Sequence, residues 1–198
     1  MAANTSPKSS QPLRIAVILG STRDGRAGEP ITRWFVDQVS PREDVKIDLV
    51  DLAEADLPHV MPDFESEIMP ASVTALSERL VSADGFVVVT PEYNHSFPAS
   101  LKNGIDWFHD EWFAKPVAFV SYGGMSRGFR AVEQLRQVFV ELHAMTTRDG
   151  VSINLDEVGA DGCPSSEGLE GAVKLMVDQL VWWAAALRDA REVRPYVG

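Results

Sequence analysis

Short apolar runs alternate with helical stripes along nearly the whole chain. Leu13–Leu19 (LRIAVIL) reads as a first strand, and Glu29–Val39 follows with Ile31, Trp34, Phe35 and Val39 on one face. Pro30 suits a first helical turn. Val45–Asp51 alternates apolar and polar and predicts a second strand. Ala71–Ala83 carries Val73, Leu76 and Leu80 at helical spacing and leads to a third strand at Phe86–Thr90. Ala99–Trp107 repeats the pattern with Leu101, Ile105 and Phe108, and Pro116–Tyr122 (PVAFVSY) predicts strand four. Arg127–Leu142 places Val132, Leu135, Phe139 and Leu142 on a stripe. Ala144–Thr147 and Val151–Asn154 predict a split or short fifth strand. Ser166–Leu187 closes the series with apolar positions alternately four and three apart. Strands separated by helices imply a parallel sheet with helices on both faces.

Right-handed crossovers leave few topologies for such a chain. Five strands favour the doubly wound, flavodoxin-like order 2-1-3-4-5 over the six-stranded dinucleotide fold. No internal repeat or linker divides residues 13–198, so the expectation is a single α/β domain. Residues 1–12 (MAANTSPKSSQP) lack the apolar stretch of a signal peptide and predict a disordered tail. Leu52–Pro70 holds Pro58, Pro62 and Pro70 and predicts one long irregular loop, of a kind that tends to be functional or mobile.

A net charge of −11 argues against non-specific binding to nucleic acid or an anionic membrane. It does not exclude a small anionic ligand, because local dipoles and arginines decide that. The single cysteine, Cys163, excludes an intrachain disulfide and a cysteine-rich metal site, and fits a reducing cytoplasm. No apolar run approaches transmembrane length.

The candidate chemistry lies in three loops, each directly after a predicted strand. In open α/β sheets, ligands sit beyond the carboxyl ends of strands. The first loop, Gly20-Ser21-Thr22-Arg23-Asp24-Gly25-Arg26-Ala27-Gly28, precedes a helix. Its amides and hydroxyls meet the positive end of the helix dipole, and Arg23 and Arg26 add donors suited to phosphate. The plain alternative is a solvated strand–helix turn. Gly20 and Gly25 match the spacing of a nucleotide-triphosphate loop, but Arg26 and Ala27 replace its Lys and Ser/Thr. Thr22 breaks the dinucleotide pattern G-x-G-x-x-G, so a monophosphate fits best.

The second loop is Thr90-Pro91-Glu92-Tyr93-Asn94-His95-Ser96. Pro91 stiffens it, Tyr93 offers a ring face or a hydroxyl, and backbone groups near Glu92 and Asn94 can read the edge of a planar ring. A turn whose Asn94 and Ser96 cap the next helix is the competing reading. His95 has no sequence partner that would make it a general base. The third loop, Ser121-Tyr122-Gly123-Gly124-Met125-Ser126-Arg127-Gly128, has two glycines that let backbone approach a ligand or simply form a tight turn. In a doubly wound sheet, strands one, three and four lie side by side. One loop for a phosphate and two for a planar ring fit a flavin mononucleotide.

These residues resemble the NADPH-dependent FMN reductases of flavodoxin-like fold, a family that includes quinone, azo-dye and chromate reductases. The matching segments are VILGSTRDGR (Val17–Arg26), TPEYNHSFPASLKNGIDW (Thr90–Trp107), and SYGG followed by RAVEQLR (Arg130–Arg136). The resemblance implies FMN phosphate on Ser21, Arg23 and Arg26. It implies the ring and ribityl chain against Pro91, Glu92, Tyr93 and Asn94, with Ser121, Gly123 and Gly124 nearby. It implies NADPH or NADH as electron donor and a small-molecule acceptor such as a quinone, azo compound, metal oxyanion or free flavin. A homodimer or homotetramer would pack the Leu101–Trp107 helix, with Trp107, Phe108, Trp112 and Phe113 as candidate surface or core residues. Many relatives carry Ser and Asn where this chain has Arg26, Ala27 and Gly28.

The expected reaction is hydride transfer from nicotinamide to flavin and then reduction of an acceptor, with no acid–base side chain required. The rival is a non-catalytic flavin-binding electron carrier or redox sensor. An α/β-hydrolase reading lacks a G-x-S-x-G elbow. Arg127 and Arg130 are open to a 2′-phosphate or to surface ion pairs.

Overall fold

A computed structural model describes residues 11–63 and 69–198. The strands are β1 (Leu13–Leu19), β2 (Val45–Asp51), β3 (Gly85–Pro91), β4 (Pro116–Gly123), β5 (Met145–Thr146) and β6 (Val151–Asn154). The helices are α1 (Gly28–Val39), α2 (Ala71–Ser82), α3 (Ala99–Asp106), α4 (Phe129–Glu141) and α5 (Leu169–Val193). The sheet is parallel with order β2-β1-β3-β4-β5, and β6 also pairs with β4. Met145 and Thr146 face Pro116 and Val117, while Val151–Asn154 face Val120–Gly123. One lane of the sheet is thus split, as the sequence predicts.

Every residue of β3 and β4 is buried, which explains their unbroken apolar runs. β2 lies at the edge, and its partly exposed positions explain its alternation. α1 and α5 close one face of the sheet over Ile15, Val17, Val87 and Val120. α2, α3 and α4 close the other over Ile18, Phe86, Val88 and Phe119. The expected tail at 1–12 falls almost wholly outside the described residues, as do residues 64–68 of the long loop.

Two helices, α4 and α5, are bounded differently from expectation. α4 starts at Phe129, two residues late, because Arg127 and Gly128 take left-handed backbone with φ of 51° and 84°. α5 starts at Leu169, after Gly168 with φ 84°, and runs past Leu187 to Val193. Its extra turns carry no apolar stripe. They are held by Arg188 and Arg191, which pair with Asp84 at 3.4 and 3.8 Å, and by Arg191 donating to the Ala114 carbonyl.

Phe108 and Trp112 belong to the core beneath α2 and α4, with Trp112 stacked edge-on against Phe86 and Phe139. The implied pairing surface therefore loses these two rings. Trp107 and Phe113 remain partly exposed.

Candidate functional site

The carboxyl ends of β1, β3 and β4 bring the three loops together. The Gly20 amide donates to the Val89 carbonyl at 2.9 Å, which ties the first loop to β3. Ser21 is wholly buried, and its Oγ lies 2.9 Å from the Tyr93 hydroxyl. The Glu92 amide donates to the Tyr122 carbonyl, extending β3 along β4. A Cβ on Gly123 would lie 3.7 Å from Glu92 Cβ, so the second and third loops are in contact.

The two arginines of the first loop separate. Arg26 donates to the Ser21 carbonyl at 2.7 Å and pairs with Asp51 at the end of β2. Both side chains are about seven-eighths buried, at 12% and 13% exposed. Arg26 thus braces the loop from below. Arg23 is exposed and makes no ion pair among the described residues. No side chain caps the N-terminus of α1, so its first amides stay available to an anion.

Behind this helix end stands Tyr122, which the sequence reading passed over. Its side chain is buried, and its hydroxyl finds no hydrogen-bond partner among the described residues. A Cβ on Gly28 would come within 2.5 Å of that oxygen. Gly28 therefore leaves room for the phenol under the first residue of α1. Burial pushes the phenol well above its ordinary pKa, and neighbouring Tyr93 adds to the rise. The Ser21 hydroxyl and Arg26 charge act against it without reversing it. Tyr122 is consequently a protonated donor at any physiological pH.

In the second loop, Pro91 ends β3 and is buried. Tyr93 and Ser96 exchange backbone hydrogen bonds of 2.8 and 3.0 Å around Asn94 and His95. Both central residues have positive φ, 49° and 73°, as in a primed two-residue turn. Non-glycine residues in this region carry strain, which clusters at functional sites. The turn is held from outside. Ser96 Oγ donates to Gln134 Oε1 at 2.5 Å, and Gln134 Nε2 donates to the His95 carbonyl at 2.8 Å. Ser96 therefore braces the turn instead of capping a helix, and α3 has no side-chain cap. Asn94 sits exposed at the tip, its amide free among the described residues.

Glu92 ties the second loop to the first turn of α4 with its side chain. Its carboxylate accepts from the Arg130 amide at 3.2 Å and pairs with the Arg130 guanidinium at 3.0 Å. Burial raises the carboxyl pKa, but hydrogen bonds from Ser126 and Arg130 outweigh it and leave the group below its ordinary value. Arg127 pairs with Glu157 at 3.4 Å. Arg127 of the third loop and Arg130 of α4 thus both sit in ion pairs.

Ser121 is fully buried and donates to the Arg127 carbonyl at 2.8 Å. It shapes the loop from behind. Gly123 is buried at the end of β4, while Gly124 is exposed with open space around its Cα. Gly128 is the glycine the turn demands. At φ 84°, a Cβ there would lie 2.6 Å from Ser121 Cβ and 2.9 Å from the Tyr122 amide nitrogen. Residues 52–59 flank the first loop across a cleft of about 230 Å³ lined by Thr22, Asp56, His59, Ser100 and Asn103. Pro58 fastens this segment to α3, its carbonyl accepting from Asn103 and the Trp107 indole at 3.2 and 2.9 Å.

The arrangement offers an uncapped helix end with a free arginine, and beside it a strained turn and a two-glycine loop. It can hold a phosphate at one end and the edge of a flat ring at the other. The model of the NADPH-dependent FMN reductases matches residues 13–157. The chain belongs to that family. It is an NAD(P)H-dependent FMN oxidoreductase. Among its relatives is an NAD(P)H-dependent FMN reductase of Schizosaccharomyces pombe, 36% identical over 154 residues, covering 73% of this chain and 76% of that protein. A quinone reductase of Escherichia coli is 39% identical over 142 residues, 69% of this chain and 74% of the relative. The fold matches FerB, a flavoenzyme NAD(P)H:(acceptor) oxidoreductase from Paracoccus denitrificans, with TM-score 0.73 at 24% identity, over 88% of this chain and 98% of that one. Among the described residues, no helix is long and apolar enough to cross a membrane, and no cluster of potential ligands could hold a metal ion.

Proposed function

We propose that FMN binds across the three loops, with its phosphate at the N-terminus of α1 and its ring edge against Pro91–Asn94 and Gly123–Gly124. The observation that carries this reading is the contact of all three loops, through Ser21–Tyr93 and through the Glu92 amide on the Tyr122 carbonyl. Arg23 supplies the free positive charge for the phosphate, and Arg26 with Asp51 keeps the loop in shape. Ser21, Glu92 and Ser121 act mainly by placing backbone groups. When bound, FMN accepts a hydride from the nicotinamide and passes electrons to the acceptor. The protein's part is to orient the ring, leave one face open, and aim backbone donors of the Tyr93 loop at its edge.

We also propose a quinone-class acceptor. Two observations favour it over a metal oxyanion. Arg127 and Arg130 are each neutralised by a carboxylate, and Met125 and Phe129 beside them are exposed apolar side chains. The relative from E. coli is named a quinone reductase. Among the described residues the same pairing leaves no unpaired arginine at or beside the third loop for a 2′-phosphate, so NADH and NADPH should serve comparably. Stopped-flow reoxidation of the reduced protein by a soluble benzoquinone and by chromate tests the acceptor. Faster reoxidation by chromate would overturn the assignment.

The working unit in this reading is a homodimer or homotetramer in the cytoplasm. Trp107, with Met69 and Val81 at 50% and 60% exposure, lines a surface depression on α2 and α3 suited to a second copy. The unpaired, exposed Cys163 fits a reducing compartment.

A further inference from the structure

We infer that Gln134 of α4 is a positioning residue for the flavin edge: it holds the Asn94–His95 turn in the shape that presents its free amides, and so tunes the reduction potential of bound FMN. The inference rests on the ring assignment above and names a residue that assignment does not use. Gln134 grips the turn with both ends of its side-chain amide. Its Oε1 accepts from the Ser96 hydroxyl at 2.5 Å, and its Nε2 donates to the His95 carbonyl at 2.8 Å. A carbonyl can only accept, so the His95 bond fixes which way the side-chain amide faces. Arg130, one turn earlier on α4, holds the other end of the loop through Glu92. α4 is itself anchored in the core by Val132, Leu135 and Phe139.

The turn needs this grip. Asn94 and His95 both take left-handed backbone, at φ 49° and 73°, and neither is glycine. Such strain persists only where surrounding bonds hold it. The two backbone bonds between Tyr93 and Ser96 supply part of the hold, and Gln134 supplies the rest. Without Gln134 the His95 carbonyl has no partner among the described residues, and His95 can relax out of left-handed backbone. The tip would then point elsewhere. Its direction matters because the Asn94 and His95 amides donate to nothing among the described residues. The Tyr93 carbonyl is held by the Ser96 amide, so the trans Tyr93–Asn94 peptide sends the Asn94 amide out of the turn. Reduction adds negative charge to a flavin ring, and amides aimed in advance favour the charged form. The shape of the turn therefore enters the potential, and the hold on that shape comes from α4.

The test measures the potential of bound FMN, by equilibration with dyes of known potential, in wild type, Gln134→Leu, Ser96→Ala and Gln137→Leu. Gln134→Leu should hold reduced FMN roughly 5- to 10-fold less tightly relative to oxidised FMN, a fall of about 20–30 mV for a two-electron couple. Ser96→Ala removes one of the two bonds and should give a smaller fall. Gln137→Leu, the same change at an exposed position of α4, should leave the potential unchanged. In the FMN-free protein, hydrogen exchange at the Tyr93 and Ser96 amides should quicken in Gln134→Leu and stay as in wild type in Gln137→Leu. An unchanged potential in Gln134→Leu, an equal fall in Gln137→Leu, or unchanged exchange at the turn would each overturn the inference alone. A wild-type protein that binds no FMN would overturn the ring assignment beneath it, while exchange in the FMN-free protein would still show whether Gln134 holds the turn.

Discussion

Arg23 and Arg26 stand three residues apart in one loop, yet their replacement by alanine should fail in different ways. Arg26 shares a pair with Asp51 at 12% and 13% side-chain exposure and also holds the Ser21 carbonyl. Exposed pairs contribute about 0–1 kcal/mol, and breaking a fully buried pair costs about 3–5 kcal/mol. This pair lies between, so Arg26→Ala should cost about 1–3 kcal/mol. At about 2–4 °C per kcal/mol for a domain of this size, the melting temperature should drop by roughly 2–12 °C. Arg23 is exposed and unpaired among the described residues, so Arg23→Ala should leave the melting temperature of the FMN-free protein within about 1 °C. It should instead remove a charge-assisted bond to phosphate, of about 1.5–3 kcal/mol, and weaken FMN roughly 10- to 100-fold. Differential scanning fluorimetry and flavin fluorescence titration read the two effects separately. Arg23→Ala with unchanged FMN affinity, or Arg26→Ala with unchanged stability, would refute the division of labour.

Lys115 is 6% exposed and donates to the Leu80 and Val81 carbonyls at the end of α2. Burial, helped by the nearby Arg191 charge, pulls its pKa down to about 8, with Asp84 and Glu111 opposing. Between about pH 8 and the unfolded value near 10.5 the unfolded chain binds more protons, so stability should rise with pH across that window, by at most about 3 kcal/mol. The raised pKa of Tyr122 acts oppositely, but only above the ordinary tyrosine range near 10. Urea denaturation at pH 7.5 and 9.5 should show this gain in wild type and lose it in Lys115→Met; equal pH trends in both would contradict it. Gly128→Ala should cost at least about 1–2 kcal/mol from left-handed backbone alone, and more from its contacts with Ser121 and Tyr122, whereas Gly124→Ala, in open space, should be neutral. Equal melting temperatures for the two variants would contradict the loop geometry.

The sheet was legible because burial is written in its strands. β3 and β4 are continuous apolar runs, and the split fifth lane shows as two short runs around Thr147–Gly150. The far end of α5 was not legible, since its hold on the core is ionic, through Arg188, Arg191 and a distant Asp84. At the site, position along the chain marked the three loops correctly as neighbours, because strand order alone places them. The work of individual side chains was harder to read. Arg26 reads in sequence as a phosphate donor, and its pair with Asp51, on another strand, has no local signal. Glu92 reads in sequence as a ring contact, and its pair with Arg130 of α4 has no local signal. Phe108 and Trp112 carry no local sign of whether they face core or partner. Tyr122 offered one overlooked signal: a phenol near the end of a fully buried strand must place its hydroxyl somewhere.

The most direct test of the central claim is the visible absorption spectrum of the purified protein with FMN, followed anaerobically on addition of NADPH and of NADH. Bound flavin whose absorbance bleaches with both donors is the predicted result. Bound flavin that stays oxidised would make the protein a carrier or sensor, and failure to bind FMN at all would contradict the three-loop site itself.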